Sequence, residues 1–368
     1  MNKVIKELEA FLMKKMVVAA AALLAAGSLF AYNPPAGGQN LPRLSSPFAL
    51  AGANSTAGGA LYDVMPSSVV TNPALAAIEQ RIALDAGFTF MTDKNKNAAG
   101  GSTGTAFQLG ATVPTRWCVP TLLVQGVFAP LIDMHLANNI AVTANVAKDI
   151  NDKLSIGIGV TGGGFWIDAS SDWTLYADTG VIYNHGDLAF MKDVRFAVTL
   201  MHLGKMYTDS KNLHGIKGTS AGMWPGIATP RIGVAAVFLD KDGFKLGSST
   251  DIAAPGFQDF VIDIGLAVEY GGLRFATFRL ASAWEFDVRE FANDRQNVIP
   301  AVALSAKFNF SADNKMLANH GWSESEITAA AAWRNLYEDV NAFSAGLVLK
   351  LGQEDTEPPV VTLWEDED

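Results

Sequence analysis

Arg81–Met91 reads Arg-Ile-Ala-Leu-Asp-Ala-Gly-Phe-Thr-Phe-Met, and its even positions, Ile82, Leu84, Ala86, Phe88 and Phe90, are all apolar. The odd positions, Arg81, Ala83, Asp85, Gly87 and Thr89, are polar or small. A period of two is that of a β-strand whose faces meet different surroundings. The alternation recurs downstream. Leu154, Ile156, Ile158 and Val160 oppose Lys153, Ser155, Gly157 and Thr161. Phe260, Ile262, Ile264, Leu266, Val268 and Tyr270 oppose Asp259, Asp263, Gly265 and Glu269. Val302, Leu304, Ala306, Phe308 and Phe310 oppose Ala303, Ser305, Lys307 and Asn309, and Phe343, Ala345, Leu347, Leu349 and Leu351 oppose Ser344, Gly346 and Lys350. About thirteen segments of this kind are clear, and a shorter one at Phe244–Ser248 makes about fourteen.

The composition separates two all-β classes. Of 368 residues 49% are hydrophobic and 17% charged, with 34 Gly and 21 Phe. Beyond the first thirty-odd residues no run is apolar enough to cross a bilayer as a helix. A lipid-facing barrel shows this profile, because alternation averages the apolar face with the polar one. A soluble β-sandwich alternates too, so the connections are the second test. With the first strand running outward, the outward connections Asp93–Ser102, Pro130–Asn138, Trp166–Asp172, Gly204–Thr229, Ser249–Gln258 and Arg289–Asn297 are long. Those on the other side, among them Ile150–Lys153, Asp240–Asp242 and Gly271-Gly272, are mostly short; Ser311–Glu324 and the tight Glu338-Asp339 break the rule. Aromatic residues near segment ends (Trp117, Trp166, Trp173, Tyr183, Tyr270, Trp333) suit interfacial girdles. The expectation is an all-β fold: a transmembrane antiparallel β-barrel of about 14 strands over residues 81–351.

Residues 1–31 read as a signal peptide. Lys14-Lys15 precede the apolar run Met16–Phe30, Ala31 offers a small residue for cleavage, and Tyr32-Asn33-Pro34-Pro35 ends any helix. Met1–Leu12 carry acidic charge, so Met13 is the expected start. A buried helix or an anchor is the alternative reading. Residues 32–80 do not alternate; they are rich in Ala, Gly, Ser and Pro and suit a plug folded into the lumen or a segment left in the periplasm. Residues 352–368 form an acidic, proline-bearing tail.

The segment ahead of the first strand carries a resemblance. Phe48–Gly52 (FALAG), Thr56–Ala60 (TAGGA) and Thr71–Ala76 (TNPALA), in that order, resemble the amino-terminal hatch of the FadL/TodX long-chain fatty-acid transporter superfamily. Met201–Gly204 (MHLG) resembles the Asn-Leu-Gly pattern of the spirochaetal and PorV-like members, with His202 in place of Asn. The resemblance implies a fourteen-stranded outer-membrane barrel with a hatch, passing hydrophobic molecules such as long-chain fatty acids passively and under ligand control. It also implies outer-membrane lipid and the barrel assembly machinery as partners. A PorV-like barrel that binds or anchors protein without transport is the alternative. Physically, Asn72 can cap a short helix Pro73–Ile78, Pro73 suits its first turn, and Ala74 permits close packing on the wall. These three residues form the expected plug or gate.

Other chemistry is sparse. The net charge of −10 argues against a nucleic-acid partner. The single Cys118 excludes an internal disulfide and a cysteine metal cluster. His135, His185, His202, His214 and His320 lack metal-ligand spacing; His202 lies on the apolar parity and reads as interfacial. No metal, cofactor or catalytic constellation is expected. Gly162, Gly163 and Gly164 read as a kink or bulge in a wall strand, and the resemblance makes such a kink a lateral gate. On the inward parity, Arg81, Asp85, Arg195, Arg231, Asp263, Arg279, Glu285 and Lys307 suit a polar network holding plug to wall. Arg195, Arg231 and Arg279 are also candidates for a substrate carboxylate. In the loop Lys205–Thr229, the apolar Met206, Tyr207, Met223, Trp224 and Ile227 suit a capture groove for a lipid-like ligand, or packing on neighbouring loops.

Overall fold

The computed structural model describes residues 44–51, 55–93, 103–129, 137–167, 170–205, 228–257, 260–273, 276–287, 298–309, 325–337 and 340–352. The expected leader, the start at Met13 and the tail beyond residue 352 lie outside the described residues.

Fourteen antiparallel strands close on themselves in sequence order. They are β1 (Ile82–Asp93), β2 (Thr103–Thr112), β3 (Val119–Ala129), β4 (Ala137–Asn151), β5 (Leu154–Ile167), β6 (Ser170–Leu188), β7 (Met191–Lys205), β8 (Thr229–Lys241), β9 (Phe244–Ala253), β10 (Val261–Tyr270), β11 (Ala276–Asp287), β12 (Val298–Asn309), β13 (Glu326–Tyr337) and β14 (Val340–Leu351). The ring closes through β1 and β14, from Ile82↔Leu351 to Asp93↔Val340. Closure removes the unpaired edge an open sheet would present. The doubtful segment at Phe244 is β9, fully paired to β8 and β10. The expected loop Trp166–Asp172 is instead largely strand: β5 and β6 run on to pair Ile167 with Ser170.

The alternation sorts the wall into two faces. Leu84, Phe88, Leu109, Leu122, Ile158, Leu304 and Leu347 are exposed outward, while Ala83, Asp85, Thr89, Met91 and Gln108 are buried inward. An exposed apolar belt of this extent is a large cost in water and a match to acyl chains. Among the described residues no helix is long and apolar enough to cross a membrane; strands make the crossing. Trp117, Trp173, Tyr183 and Tyr270 are exposed on this outer face, as interfacial aromatics should be.

Residues 44–51 and 55–80 fill the lumen. They contain a short helix, Pro47–Ala51, and two 3₁₀ turns, Pro66–Val70 and Pro73–Ile78. Leu44, Leu50, Ala57, Ala60, Ala74 and Leu75 have no exposed surface. The core therefore lies inside the ring, between plug and wall.

The candidate functional site is the plug and lumen

One side of the plug is seated by neutral contacts. The Asn72 side chain accepts a hydrogen bond from the Ala74 backbone N–H (2.9 Å), and Pro73 begins the 3₁₀ turn. This is the capping role read from the sequence. Asn72 also donates to the Thr56 carbonyl (2.7 Å), and Asn145 on β4 donates to the Pro73 carbonyl (3.2 Å). Two wall glycines make the approach possible. A Cβ on Gly157 would overlap the Pro73 carbonyl group and the Ala74 nitrogen, and a Cβ on Gly180 would overlap Asn72 Oδ1. Beyond them Leu75, Ala74 and Ala57 pack with Ile182, Ala197 and Ala235 of the wall. Plug and wall meet in the same manner at Gly87 against the Ser45 carbonyl and at Gly247 against the Ala60 carbonyl.

The other side is held by charge. Lys350 on β14 sits 2.9 Å from Asp63 and 2.9 Å from Glu79, both in the plug, and 3.7 Å from Glu326 on β13. Arg279 on β11 joins Asp63 (3.4 Å) to Glu269 on β10 (2.6 Å). Arg81, just ahead of β1, joins Glu79 (3.0 Å) to Glu326 (3.3 Å), and Lys307 lies 3.9 Å from Glu326. The cluster thus sets four cations (Arg81, Arg279, Lys307, Lys350) against four carboxylates (Asp63, Glu79, Glu269, Glu326), which meets the requirement that buried charge be compensated. Burial alone would raise the Asp63 carboxyl; Lys350, then Lys307 and Arg279, outweigh it and hold it well below the usual carboxylate range. Burial likewise opposes ionisation of Glu79, and Lys350 with Arg81 overcomes it and lowers its pKa.

Three further wall residues grip plug backbone. Asp251 on β9 accepts from the Thr56 N–H (2.8 Å) and is paired with Arg231, which also meets Asp263. Arg334 on β13 donates to the Leu50 carbonyl (3.1 Å) and pairs with Glu285 (2.6 Å). Arg195 on β7, fully buried, donates to the Gly59 carbonyl (3.2 Å) and lies over the Tyr62 ring at 4.1 Å. Arg195, Arg231 and Arg279, the candidates for a substrate carboxylate, are thus each already engaged with the plug, with a wall carboxylate, or with both. Asp63, Glu79, Asp251, Glu326, Arg334 and Lys350 are plug-holding residues the sequence did not single out.

Met206, Tyr207, Met223, Trp224 and Ile227, the expected capture groove, lie outside the described residues. No bulge interrupts Gly162–Gly164: β5 pairs without a register break through all three, with β4 on one side and β6 on the other. Neighbouring strands thus supply partners for the backbone on both sides there.

The wall is irregular one strand further on. The β6–β7 ladder shifts between Ala177 and Thr179, against Leu203 and Leu200. His202 takes the left-handed conformation (φ 61°), which side chains other than Gly, Asn, Asp and His rarely adopt. The Asn of the family pattern suits the same conformation. A Cβ on Gly204 would overlap the Leu175 carbonyl oxygen, which explains the glycine two residues later. The bulge turns His202 from the expected lipid-side parity into the wall's interior. It is buried, edge-on to the inward Tyr176 ring at 5.1 Å, while Leu203 takes the exposed side.

Between the plug and β11–β13 lies a small cavity of about 30 Å³, lined by Phe48, Gly58 and Leu61 of the plug and Ala281, Ala303 and Ala330 of the wall.

No family model and no curated protein matches the chain by sequence. Solved structures match by shape. The CymD monoaromatic hydrocarbon channel aligns with TM-score 0.51 at 12% identity, over 86% of this chain and 100% of that one. The Ralstonia pickettii toluene transporter TbuX gives 0.51 at 12%, over 85% and 100%. A deltaS2 mutant of the TodX monoaromatic hydrocarbon channel gives 0.52 at 10%, over 86% and 100%. The chain shares its fold with these three proteins.

Proposed function

We propose that the protein is an outer-membrane channel that admits hydrophobic small molecules past a plug that shifts within a fixed barrel. The observation that carries this is the plug itself: a segment ahead of the first strand, inside a closed ring, tied to it by hydrogen bonds and ion pairs that can exchange. A purely structural stopper needs no compensated charge cluster, since apolar packing of equal volume is as stable or more so. The solved structures of like fold are channels for toluene or monoaromatic hydrocarbons by their titles, which supports an apolar substrate. Long-chain fatty acids, the class the sequence resemblance implies, are the longest candidates. In this reading Arg195, Arg231 and Arg279 hold the plug, and Met206, Tyr207, Met223, Trp224 and Ile227 collect substrate at the outer end.

The test is uptake of a fluorescent long-chain fatty acid, and separately of toluene, by liposomes containing the refolded chain. Saturable uptake of either supports the channel, and loss of uptake on replacing Met223 and Trp224 by Ser supports the capture role. A folded barrel that passes neither supports the second reading, a PorV-like partner-binding barrel. The close fit of plug backbone to Gly87, Gly157, Gly180 and Gly247 is the feature that favours that alternative.

A further inference from the structure

The β6–β7 bulge brings together two polar side chains that the plug does not use. Asp178 is buried, and one of its carboxylate oxygens accepts the His202 backbone N–H at 2.6 Å. Among the described residues no cation lies within ion-pair distance of it, in contrast to Asp63, Asp251 and Glu79. His202 is 8% exposed, and its Nδ1 has no hydrogen-bond partner among the described residues. Nearby hydroxyls are spoken for: Thr143 and Thr161 bond each other at 2.7 Å. Buried polar atoms are ordinarily satisfied, so an orphan at a strained backbone points to something that completes it.

Position supports the same reading. On β6, Gly180 meets Asn72 of the plug, and Asp178 and Tyr176 follow on the same inward face toward the strand's start at Ser170. The bulge therefore adjoins the plug's neutral seat.

We propose that Asp178 and His202 form a subsite for the polar head of an otherwise apolar ligand, and that the head is a hydroxyl. A carboxylate accepts only, whereas an imidazole nitrogen donates or accepts according to tautomer. A hydroxyl, which donates to Asp178 and pairs with His202 through its lone pair or proton, satisfies both. A second carboxylate meets like charge at Asp178, and a hydrocarbon leaves both groups unpaired in a dry site. This inference rests on the channel reading above and narrows its substrate class to apolar alcohols and phenols.

The experiment uses the full chain in lipid nanodiscs, with tritiated 1-decanol as probe, empty nanodiscs as background, and decane, decanoate and decylamine as competitors. The subsite predicts that decanol displaces the probe at concentrations roughly tenfold lower than decanoate or decane. Asp178→Asn removes the full charge, and His202→Asn keeps a residue suited to the left-handed backbone while removing the imidazole. Each should narrow the decanol-to-decane ratio to about threefold or less, with heat-modifiable migration on a gel unchanged. Equal competition by decane and decanol, or ratios that neither substitution moves, overturns the subsite while leaving the channel standing. Preference for decylamine overturns the hydroxyl assignment in favour of a cation. If nothing apolar is held above empty nanodiscs, the channel reading itself falls and takes the subsite with it.

Discussion

The two sides of the plug are attached by different physics. Against β4–β6 it is seated by shape: Asn72, Pro73 and Ala74 lie where Gly157 and Gly180 leave space, with neutral hydrogen bonds among the described residues. Against β10–β14 it is tied by Asp63 and Glu79 to Lys350, Arg279 and Arg81. Shape complementarity is indifferent to protons and short in range, whereas ion pairs respond to pH and to the loss of any one member. For the shifting plug proposed above, the neutral seat is the natural pivot and the charged side the latch.

The latch gives the largest expected effect. Lys350→Met leaves Asp63, Glu79 and Glu326 without their shared cation, and breaking a buried pair in this way costs about 3–5 kcal/mol. Protease cleavage within residues 44–80 should become fast while the wall keeps its heat-modifiable migration. Equal resistance in variant and parent would remove the latch. Acid should reproduce the effect more gently. Asp63 and Glu79 have pKa values lowered in the folded chain, so their contribution is complete above the unfolded values of about 4. It declines as pH falls through that point toward the folded values. Plug protection should therefore hold at neutral pH and begin to fail below about pH 4. Loss of protection on raising the pH from neutral would reverse the sign and refute the assignment.

The pivot responds to size instead. Gly180→Ala places a methyl group on Asn72 Oδ1, a clash expected to cost about 1–3 kcal/mol. Asn72→Ala keeps the space, loses the cap and frees the Thr56 carbonyl, and should cost about 1 kcal/mol. Denaturant unfolding of the plug, followed by the same proteolysis, ranks the two. Neither loss should change between pH 4 and 8; a pH-dependent loss would mean that the two sides are not separable.

How far the sequence reaches follows the same division. Strand period and capping are local, so β1 at Arg81–Met91 and the Asn72 cap over Pro73–Ile78 can be read directly from the residues. The latch cannot: Asp63 and Lys350 are 287 positions apart and meet only because β14 closes onto β1. The inward parity did mark Arg231, Arg279 and Glu285 as members of a plug–wall network, without showing their partners. His202 was misplaced for another reason. A bulge inserts one residue and reverses parity after it, and no period-two pattern reports where that happens. Among the glycines, Gly162–Gly164 form a conspicuous run, whereas Gly157 and Gly180 look unremarkable until the plug is set against them.

That last point yields the smallest expected effect and the sharpest contrast. Gly162 lies on the lipid-facing parity of β5, level with Val142 and Leu175, both exposed. A Cβ there would meet nothing nearer than Leu175 Cδ1 at 3.8 Å. Valine suits a strand better than glycine and adds apolar surface toward the acyl chains. Gly162→Val should therefore change stability by less than about 0.5 kcal/mol, if anything upward, with plug protection and uptake unaltered. Gly180→Ala, on the adjacent strand but the opposite face, should disturb the plug with a smaller side chain. If Gly162→Val instead impairs uptake while Gly180→Ala is silent, the moving part is the wall at β5, and the plug's neutral seat is not the pivot.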